Sequence, residues 1–212
     1  MLKTLYLESV DSTQTYLKDL ICNEAIELPL AVVANIQTDG IGSRGNSWMG
    51  MEGNLFLSFA IPLENLPKDL QLESSSIYFA YILKELLNEL GSNVWLKWPN
   101  DFLVNEDKIG GMITTISKKT LICGVGLNLV KAPVEFATLD IRITKEDLVQ
   151  MYLNKLKKNI SWKQVFSKYK LEFYKNQNFF THNNDIKISF KDASLQSDGS
   201  ILCNGERIFS LR

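Results

Sequence analysis

Histidine is almost missing from this chain, and its scarcity limits the chemistry that the chain can carry out. The 212 residues contain one histidine, His182, within the polar, turn-like stretch Thr181–Asn184. We interpret His182 as an exposed loop residue. A Ser-His-Asp triad, a Cys-His pair and a metal site built from several histidines are therefore excluded. If the chain is an enzyme, its acids, bases and charged groups are aspartate, glutamate, lysine and arginine.

Cysteine is also scarce, and long apolar or basic runs are absent. Cys22, Cys123 and Cys203 lie far apart, which fits neither a zinc signature nor a disulfide framework and favours a cytoplasmic protein. No direct metal-binding signature is present. No apolar run reaches the length of a membrane span, and the first residues lack a signal-peptide layout. The net charge of −1, without any basic stripe, argues against nucleic-acid binding.

The order of the predicted elements indicates an α+β fold with one main sheet. Apolar patterns predict strands near residues 2–8, 30–36, 54–61, 93–97, 101–105, 110–117 and 120–128. Helical spacing and capping residues predict helices over residues 14–20, 73–90, 144–158 and 161–176. Because strands and helices do not alternate strictly, we expect an α+β sheet rather than a doubly wound one.

The composition changes near the C-terminus, from about Asp185 onward. Short strands and turns follow, and Asn204-Gly205 is a strong hairpin signal. A piece of about 30 residues is too small for a core of its own, so we expect it to pack on the main domain. We divide the chain into a main domain, residues 1–178, and a C-terminal β segment, residues 179–212.

The stretch Lys97-Trp98-Pro99-Asn100-Asp101, followed by Lys108-Ile109-Gly110-Gly111, is the most informative part of the sequence. Pro99 cannot donate to a strand ladder, so the chain leaves regular pairing there. We expect the lysine, asparagine and aspartate of the first stretch to lie at a rim. Two lysines and a carboxylate around a strand break suit a reaction between anions. A solvated turn is the alternative.

Residues 38–53 hold closely spaced glycines between two strands and predict an exposed, flexible loop. Within it, Gly40-Ile41-Gly42-Ser43-Arg44 offers backbone N–H groups and a guanidinium to an anion. No helix follows and no Gly-Lys-Ser/Thr ending is present, which excludes a Rossmann fingerprint and a P-loop. A plain mobile connection is the alternative. Trp48, beside this loop, is suited to covering a planar group.

Two further motifs have both structural and ligand-binding interpretations. Asp11-Ser12-Thr13-Gln14 predicts a helix cap, and the hydroxyls of Ser12 and Thr13 also suit ligand hydrogen bonds. Gly124-Val125-Gly126-Leu127-Asn128 places two glycines inside a strand pattern. Glycines in a strand predict the close approach of a ligand or of another backbone.

These motifs, in this order, resemble one family, the biotin protein ligases, also called biotin–[acetyl-CoA carboxylase] ligases. Gln37, Asn54-Leu55 and the ending Ile208–Arg212 add to the resemblance, which spans nearly the whole chain. It implies a mixed β-sheet flanked by helices, of the class II aminoacyl-tRNA-synthetase-like kind (the biotin–lipoate ligase fold), with a shortened SH3-like β piece at the C-terminus. It also implies a homodimer formed through sheet edges.

The resemblance implies a two-step reaction that uses ATP, Mg²⁺ and biotin. The carboxylate of biotin attacks the α-phosphate of ATP, which gives biotinyl-5′-AMP. A lysine of a biotin carboxyl carrier protein, a subunit of acetyl-CoA carboxylase, then attacks the mixed anhydride. The implied catalytic residues are Lys108, Asp101, Lys97 and Arg44. The implied biotin- and biotinyl-AMP-binding residues are Ser12, Thr13, Gln14, Gln37, Gly40, Ile41, Gly42, Ser43, Arg44, Trp48, Lys108 and Gly111. The implied ATP-binding residues are Lys97, Asn100, Asp101 and Asn128.

The chain departs from the family pattern in its glycine loop, which usually reads Gly-Arg-Gly-Arg. Ile41 and Ser43 occupy the arginine places here, and Arg44 follows in the next place. Gln14 stands where asparagine is more common, and the C-terminal piece is short. Few residues precede Asp11, so we do not expect the DNA-binding helix-turn-helix of repressor-type members. A lipoate or octanoate ligase and a non-enzymatic biotin-sensing module are the alternatives.

Overall fold

A computed structural model describes residues 3–23, 26–183 and 186–210. The strands are β1 Lys3–Val10, β2 Leu30–Gln37, β3 Gly40–Ile41, β4 Ser47–Trp48, β5 Leu55–Pro62, β6 Trp95–Lys97, β7 Asp101–Val104, β8 Asp107–Ser117, β9 Thr120–Leu127, β10 Phe180–Asn183, β11 Ile186–Ser189, β12 Ser194–Leu195, β13 Ile201–Cys203 and β14 Glu206–Ile208. The helices are α1 Thr13–Asn23, α2 Ser75–Glu89, α3 Lys145–Leu156 and α4 Trp162–Glu172. Within the described ranges, no helix is both long and apolar enough to cross a bilayer.

Seven strands form one mixed sheet in the order β1-β2-β5-β9-β8-β7-β6. β1 and β2 run parallel, with α1 as the crossover between them, and the other neighbouring pairs run antiparallel. The expected α+β fold with a mixed, helix-flanked sheet is therefore confirmed.

Both faces of the sheet are covered, which explains the unbroken apolar run in β2. Ala31 and Val33 belong to the large core that α2, α3 and α4 complete. Leu30 and Val32 belong to a smaller core under α1. Successive side chains of a strand point to opposite faces, so a strand buried on both sides needs apolar residues at every position.

Capping residues set the starts of α3 and α4, and the cap at the start of α3 was expected from the sequence. Thr144 accepts a hydrogen bond from the N–H of Asp147. Ser161 and Gln164 form a reciprocal capping box. The helix predicted over residues 161–176 is shorter than expected, because α4 ends at Glu172 and Phe173–Asn176 form a tighter 3₁₀ turn.

Residues 38–53, expected to form an irregular loop, contain a short hairpin in their central part. β3 and β4 pair as a hairpin around the 3₁₀ turn Ser43–Gly45. A Cβ at Gly40 would lie 2.4 Å from the carbonyl oxygen of Trp48, and one at Gly50 would lie 2.3 Å from that of Gln37. These glycines therefore permit close backbone packing, whereas the sequence pattern indicated mobility.

The C-terminal β segment packs on the main domain, as expected. Trp98 Nε1 donates to the carbonyl of Gly199 at 2.9 Å. Asn204 and Gly205 both have positive φ, as their hairpin between β13 and β14 requires. The apolar residues of this segment that join the large core are Phe190, Leu195, Ile201, Cys203 and Ile208. The domain division at residue 178 stays a prediction.

Some predictions fall on positions that are not described. Leu2 in the first predicted strand, Asp185 and the final Leu211-Arg212 lie outside the described residues, as does the side chain of Arg44. His182 is exposed, as expected, but it lies in β10 rather than in a loop.

Candidate active site

One cavity brings together most of the residues predicted to form a site. It lies among the start of α1, the β3–β4 hairpin and strands β5, β7, β8 and β9. The predicted residues that line it are Ser12, Thr13, Gln14, Gln37, Ile41, Gly42, Ser43, Trp48, Asn100, Asp101, Lys108 and Gly111. The lining residues outside that prediction are Ser58, Met112, Ile113, Gly124, Val125 and Gly126.

A chain of hydrogen bonds joins four buried side chains that line the cavity. Gln37 Oε1 accepts from both the N–H and the hydroxyl of Thr13, each at 2.9 Å. Thr13 Oγ1 lies 2.8 Å from Ser58 Oγ, which in turn lies 3.3 Å from Gln14 Oε1. Gln14 Nε2 donates to the carbonyl of Ile122 at 3.3 Å. The cavity therefore contains a preformed polar wall that can recognise a polar ring.

Two serines line the cavity, and the sequence predicted a role for only one of them. Ser12 Oγ accepts from the N–H of Thr15 at 3.4 Å, so the predicted helix cap at the start of α1 is present. Sequence reasoning missed Ser58. The available signal was its polarity within β5, where the neighbouring residues are apolar and buried. A fully buried hydroxyl in an apolar strand needs polar partners, and such a residue marks a site or a core network.

A carboxylate lies between two lysines beside the polar wall. Lys108 Nζ lies 2.7 Å from Asp101 Oδ1, and Lys97 Nζ lies 3.6 Å from Asp101 Oδ2. Lys108 and Asp101 line the cavity, whereas Lys97 lies outside the lining, 5.9 Å from the ring centroids of Phe179 and Phe180. An anion in the cavity would therefore meet Lys108, while Lys97 remains a second cation for Asp101.

A β-bulge explains why Lys108 and Asp101 share one face of the sheet. Asp101 pairs with Gly111, but Leu103 pairs with Lys108, so Ile109 is an extra residue on β8. In a regular strand, residues three apart face opposite sides, and one extra residue restores the same side. A Cβ at Gly111 would accordingly lie 3.6 Å from Asp101 Oδ1 and 3.8 Å from Lys108 Cε. The bulge thus turns Lys108 into the cavity.

Two glycines of β9 make room for cavity side chains. A Cβ at Gly124 would lie 2.4 Å from Gln14 Oε1, and a Cβ at Gly126 would lie 2.4 Å from Trp48 Nε1. The sequence predicted the close approach of a ligand or of another backbone at these positions. The approaching group is instead a protein side chain in both cases. Trp48 Nε1 is buried there without a hydrogen-bond partner among the described residues.

Both asparagines predicted to bind ATP are buried. Asn100 was expected at a rim, but it is 1% exposed and its Nδ2 donates to the carbonyl of Met112 at 2.6 Å, although it lines the cavity. Asn128 is also buried and lies outside the lining. Its side chain accepts from Asn54 and donates to the carbonyl of Ala137. Both side chains therefore hold local structure, and their binding roles stay predictions.

Gly40 and Arg44 were also predicted as site residues, but neither is among the residues that line the cavity. Gly40 lies outside the lining and packs against Trp48. Arg44 belongs to the 3₁₀ turn Ser43–Gly45, and its side chain lies outside the described residues. Their roles in binding or catalysis also stay predictions.

Cys123 is next to the cavity in sequence but belongs to the apolar core. Burial raises the pKa of the Cys123 thiol, which keeps it protonated and unreactive. The described residues contain no group of three or more His, Cys, Asp or Glu side chains that could hold a metal ion.

Comparisons with known proteins agree with this geometry. Residues 6–128 match the biotin/lipoate A/B protein ligase family. The crystal structure of biotin acetyl coenzyme A carboxylase synthetase from Helicobacter pylori, with bound biotinylated ATP, has a TM-score of 0.94 and 38% identity, covering 99% of this chain and 100% of that chain. A biotin protein ligase from Aquifex aeolicus, in complex with biotin and ATP, has a TM-score of 0.78 over 100% of this chain and 97% of that chain; at 23% identity it shows the fold alone.

A curated relative, the bifunctional ligase/repressor BirA of Escherichia coli (strain K12), is 32% identical over 136 residues. The match covers 61% of this chain and 41% of that protein. The chain thus matches about two fifths of the length of such curated relatives.

Proposed function

Because the chain belongs to the biotin/lipoate A/B protein ligase family, we propose that it joins biotin to a carrier protein in an ATP-dependent reaction. One observation carries this proposal: a single cavity contains both a polar wall and a cation. The wall includes the hydrogen bond between Thr13 and Gln37, and the cation is Lys108, which Asp101 holds in place. A polar ring and a carboxylate are the recognisable parts of biotin. The Helicobacter pylori structure that is 38% identical contains bound biotinylated ATP.

In the first step, a carboxylate oxygen of biotin attacks the α-phosphorus of ATP, and the bond to pyrophosphate breaks. The products are biotinyl-5′-AMP and pyrophosphate. Both reactants are anions, so the reaction needs cations that neutralise charge where the reactants meet. Lys108 is the cavity residue for this role, and Arg44 is a second candidate on the hairpin. No enzyme nucleophile takes part, which suits a site without histidine.

In the second step, the amine of a carrier lysine attacks the acyl carbon of biotinyl-5′-AMP. An amide bond forms, AMP leaves, and the amine loses a proton. Asp101 is the cavity carboxylate that can orient the amine or accept its proton. Lys97, 3.6 Å from the other oxygen of Asp101, stays as a counterion when Lys108 contacts the substrate.

The nucleotide substrate is ATP with its Mg²⁺. In nucleotide sites such an ion keeps several water ligands and is bound by substrate phosphates together with one or two carboxylates. The ion neutralises charge on the triphosphate when it is bound. The contribution of the chain is then to position the α-phosphate near Lys108.

The partner that we propose is the biotin carboxyl carrier protein of acetyl-CoA carboxylase. Curated relatives from Mycobacterium tuberculosis and Paracoccus denitrificans are named biotin–[acetyl-CoA-carboxylase] ligases.

We also propose a cytoplasmic protein that does not bind specific DNA, which the free cysteines and the net charge of −1 support. A homodimer is a further proposal, supported by β1, which pairs only with β2 among the described strands.

The proposed function is tested by ATP–pyrophosphate exchange with biotin or lipoate as the acid, followed by transfer to a carrier domain. We expect exchange with biotin and labelling of one carrier lysine. Exchange with lipoate instead would indicate a lipoate ligase. Binding of biotin without exchange or transfer would indicate a sensing module, and either result would contradict the proposal.

A further inference from the structure

Asn54 directly precedes β5 and lies outside the cavity lining, yet its buried amide makes five hydrogen bonds. Its Oδ1 accepts from three consecutive backbone N–H groups, those of Leu129, Val130 and Lys131, at 3.0, 3.1 and 3.2 Å. Its Nδ2 donates to the carbonyl of Lys131 at 2.7 Å and to Asn128 Oδ1 at 3.2 Å. Because backbone N–H groups only donate, they fix the orientation of this amide. One side chain therefore holds the end of β9 and the start of the segment that follows it.

The segment formed by residues 129–137 borders the cavity but contains neither helix nor strand. Its Phe136 ring contacts the indole of Trp48, which lines the cavity. Val130 and Val134 are exposed, so their side chains do not fix the path of the segment by burial. Hydrogen bonds at the two ends of the segment therefore fix much of this path.

Asn128 connects Asn54 to the bulge that turns Lys108 into the cavity. Asn128 Nδ2 donates to the carbonyl of Ala137 at 3.2 Å, and the N–H of Ala137 donates to the carbonyl of Lys108 at 3.0 Å. The N–H of Asn128 donates to the carbonyl of Ile109, the extra residue of the bulge, at 2.8 Å. A bulge disrupts the strand ladder locally, so its backbone groups need such partners. A continuous chain of hydrogen bonds thus runs from Asn54 to the backbone of Lys108.

We propose that Asn54 is a positioning residue for Lys108, acting through Asn128 and Ala137. This inference rests on the proposed function. The oxygen and both N–H groups of the Asn54 amide are already paired inside the protein, so Asn54 acts on the reaction without touching a substrate. Its loss leaves the lysine present but frees the backbone that aims the ammonium group, and small displacements of a reacting group reduce rate strongly. The polar wall belongs to α1, β2 and β5, outside this chain of hydrogen bonds, so recognition of the biotin ring should persist.

The test is biotin-dependent pyrophosphate exchange by the full chain, with substitutions at the two ends of this chain of hydrogen bonds. Asn54→Ala removes the first amide. Ala137→Pro removes the backbone N–H that reaches Lys108. Asn88→Ala is the matched control, because the Asn88 amide also donates to two backbone carbonyls and lies outside the cavity lining. Thermal unfolding of each variant sets an assay temperature at which all of them are folded.

We expect kcat to fall by about 10- to 100-fold in Asn54→Ala and in Ala137→Pro, with little change in KM for biotin. The double variant should be about as slow as the slower single variant, because both substitutions break the same connection. Backbone hydrogen exchange, followed by mass spectrometry, should be faster over residues 129–137 in Asn54→Ala than in the wild type. Asn88→Ala should lower the unfolding temperature without changing kcat or the exchange of this segment.

A wild-type kcat in folded Asn54→Ala, a higher KM for biotin as the sole effect, or full additivity in the double variant would overturn the positioning role. If Asn54→Ala does not fold, Ala137→Pro decides the question, and a wild-type kcat in that variant overturns the connection to Lys108. A wild type that shows no exchange with biotin would instead overturn the proposed function. The two failures are therefore distinguishable in one set of measurements.

Discussion

The indole of Trp48 occupies the space above Gly126, where a Cβ would lie 2.4 Å from Nε1 and 2.7 Å from Cε2. Trp48 comes from the short β3–β4 hairpin, and Gly126 lies in the buried strand β9. The same indole contacts the ring of Phe136 edge-on, with centroids 5.8 Å apart. The hairpin is thus anchored on the sheet through one aromatic ring. Loop residues Ile41, Gly42 and Ser43 line the cavity in consequence.

Gly126→Ala should displace Trp48 and with it the hairpin. We expect kcat/KM for biotin-dependent pyrophosphate exchange to fall by about 10- to 100-fold, the range for displaced positioning groups. The test is made in wild-type and Trp48→Ala backgrounds. If the effect acts through the indole, Gly126→Ala will add little to Trp48→Ala. Full additivity of the two substitutions would contradict this explanation.

Alanine should have different effects at the adjacent glycines Gly110 and Gly111: it should lower stability at Gly110 and substrate binding at Gly111. A Cβ at Gly110 would lie 2.5 Å from the backbone oxygen of Gly126, which cannot move aside easily. We expect Gly110→Ala to reduce the free energy of unfolding by about 1–3 kcal/mol, the usual range for overpacking. A Cβ at Gly111 meets only ordinary contacts, the nearest at 3.5 Å.

Gly111→Ala should therefore unfold like the wild type in denaturant, while its methyl group projects into the cavity beside Lys108 and Asp101. We expect weaker substrate binding and slower pyrophosphate exchange from this folded variant. Each substitution is the control for the other. A destabilised Gly111→Ala together with a fully stable Gly110→Ala would contradict the register in which β8 pairs with β9.

The elements of the main sheet were predictable because apolar residue types indicate which of their positions are buried. β2 and β5 need apolar residues on two faces. α2 is buried along almost its whole length, because it packs against the sheet on one side and against α3 and α4 on the other. The start of α3 was predictable from the spacing of Thr144 and Asp147 alone.

Other features were not predictable because they depend on contacts between distant segments. The glycines in and beside the β3–β4 hairpin have the same local pattern as a mobile loop, and the packing of Gly40 on Trp48 and of Gly50 on Gln37 distinguishes the two. The position of Gly124 in a strand pattern predicts that another group approaches it closely. The sequence does not identify this group as Gln14, which lies far away along the chain. The bulge at Ile109 likewise arises from pairing with β7 and leaves no local signal.

Lys108→Ala should nearly abolish adenylation in a folded protein. The lysine is the cavity cation that would neutralise the reacting anions, and removing such a group typically costs about 2–4 kcal/mol, or roughly 10² to 10³ in rate. Pyrophosphate exchange is the measurement. Lys119→Ala, at the exposed turn between β8 and β9, is the matched control and should retain full activity. Near wild-type exchange by Lys108→Ala would refute its assigned role.

Asp140 should make a pH-dependent contribution to stability. Burial raises the pKa of Asp140, but hydrogen bonds from Ser92 and Asn93 outweigh burial and hold the pKa below its ordinary value. A carboxyl with a lowered folded-state pKa stabilises the fold above its unfolded pKa of about 4 and loses this contribution as pH falls through the folded pKa.

We therefore expect Asp140→Asn to be less stable than the wild type at pH 7, with a difference that shrinks below about pH 4. Urea unfolding from pH 7 down to the acid limit measures this difference. Asp192→Asn, at an exposed turn, is the control. A difference that stays constant across the whole range would show that the hydrogen bonds of Asp140 are not linked to its ionisation.

Ser43→Arg should slow the release of biotinyl-5′-AMP. The resemblance to biotin protein ligases implies arginines at the places of Ile41 and Ser43, and both residues line the cavity on the anchored hairpin. A charge-assisted hydrogen bond contributes about 1.5–3 kcal/mol, and each 1.4 kcal/mol corresponds to about tenfold in affinity. We expect release of labelled biotinyl-5′-AMP to be about tenfold slower from Ser43→Arg than from the wild type. Ser43→Met, which adds length without charge, should release it at the wild-type rate, and Arg44→Ala should release it faster. Equal rates from all four proteins would mean that the charge of this hairpin does not hold the adenylate.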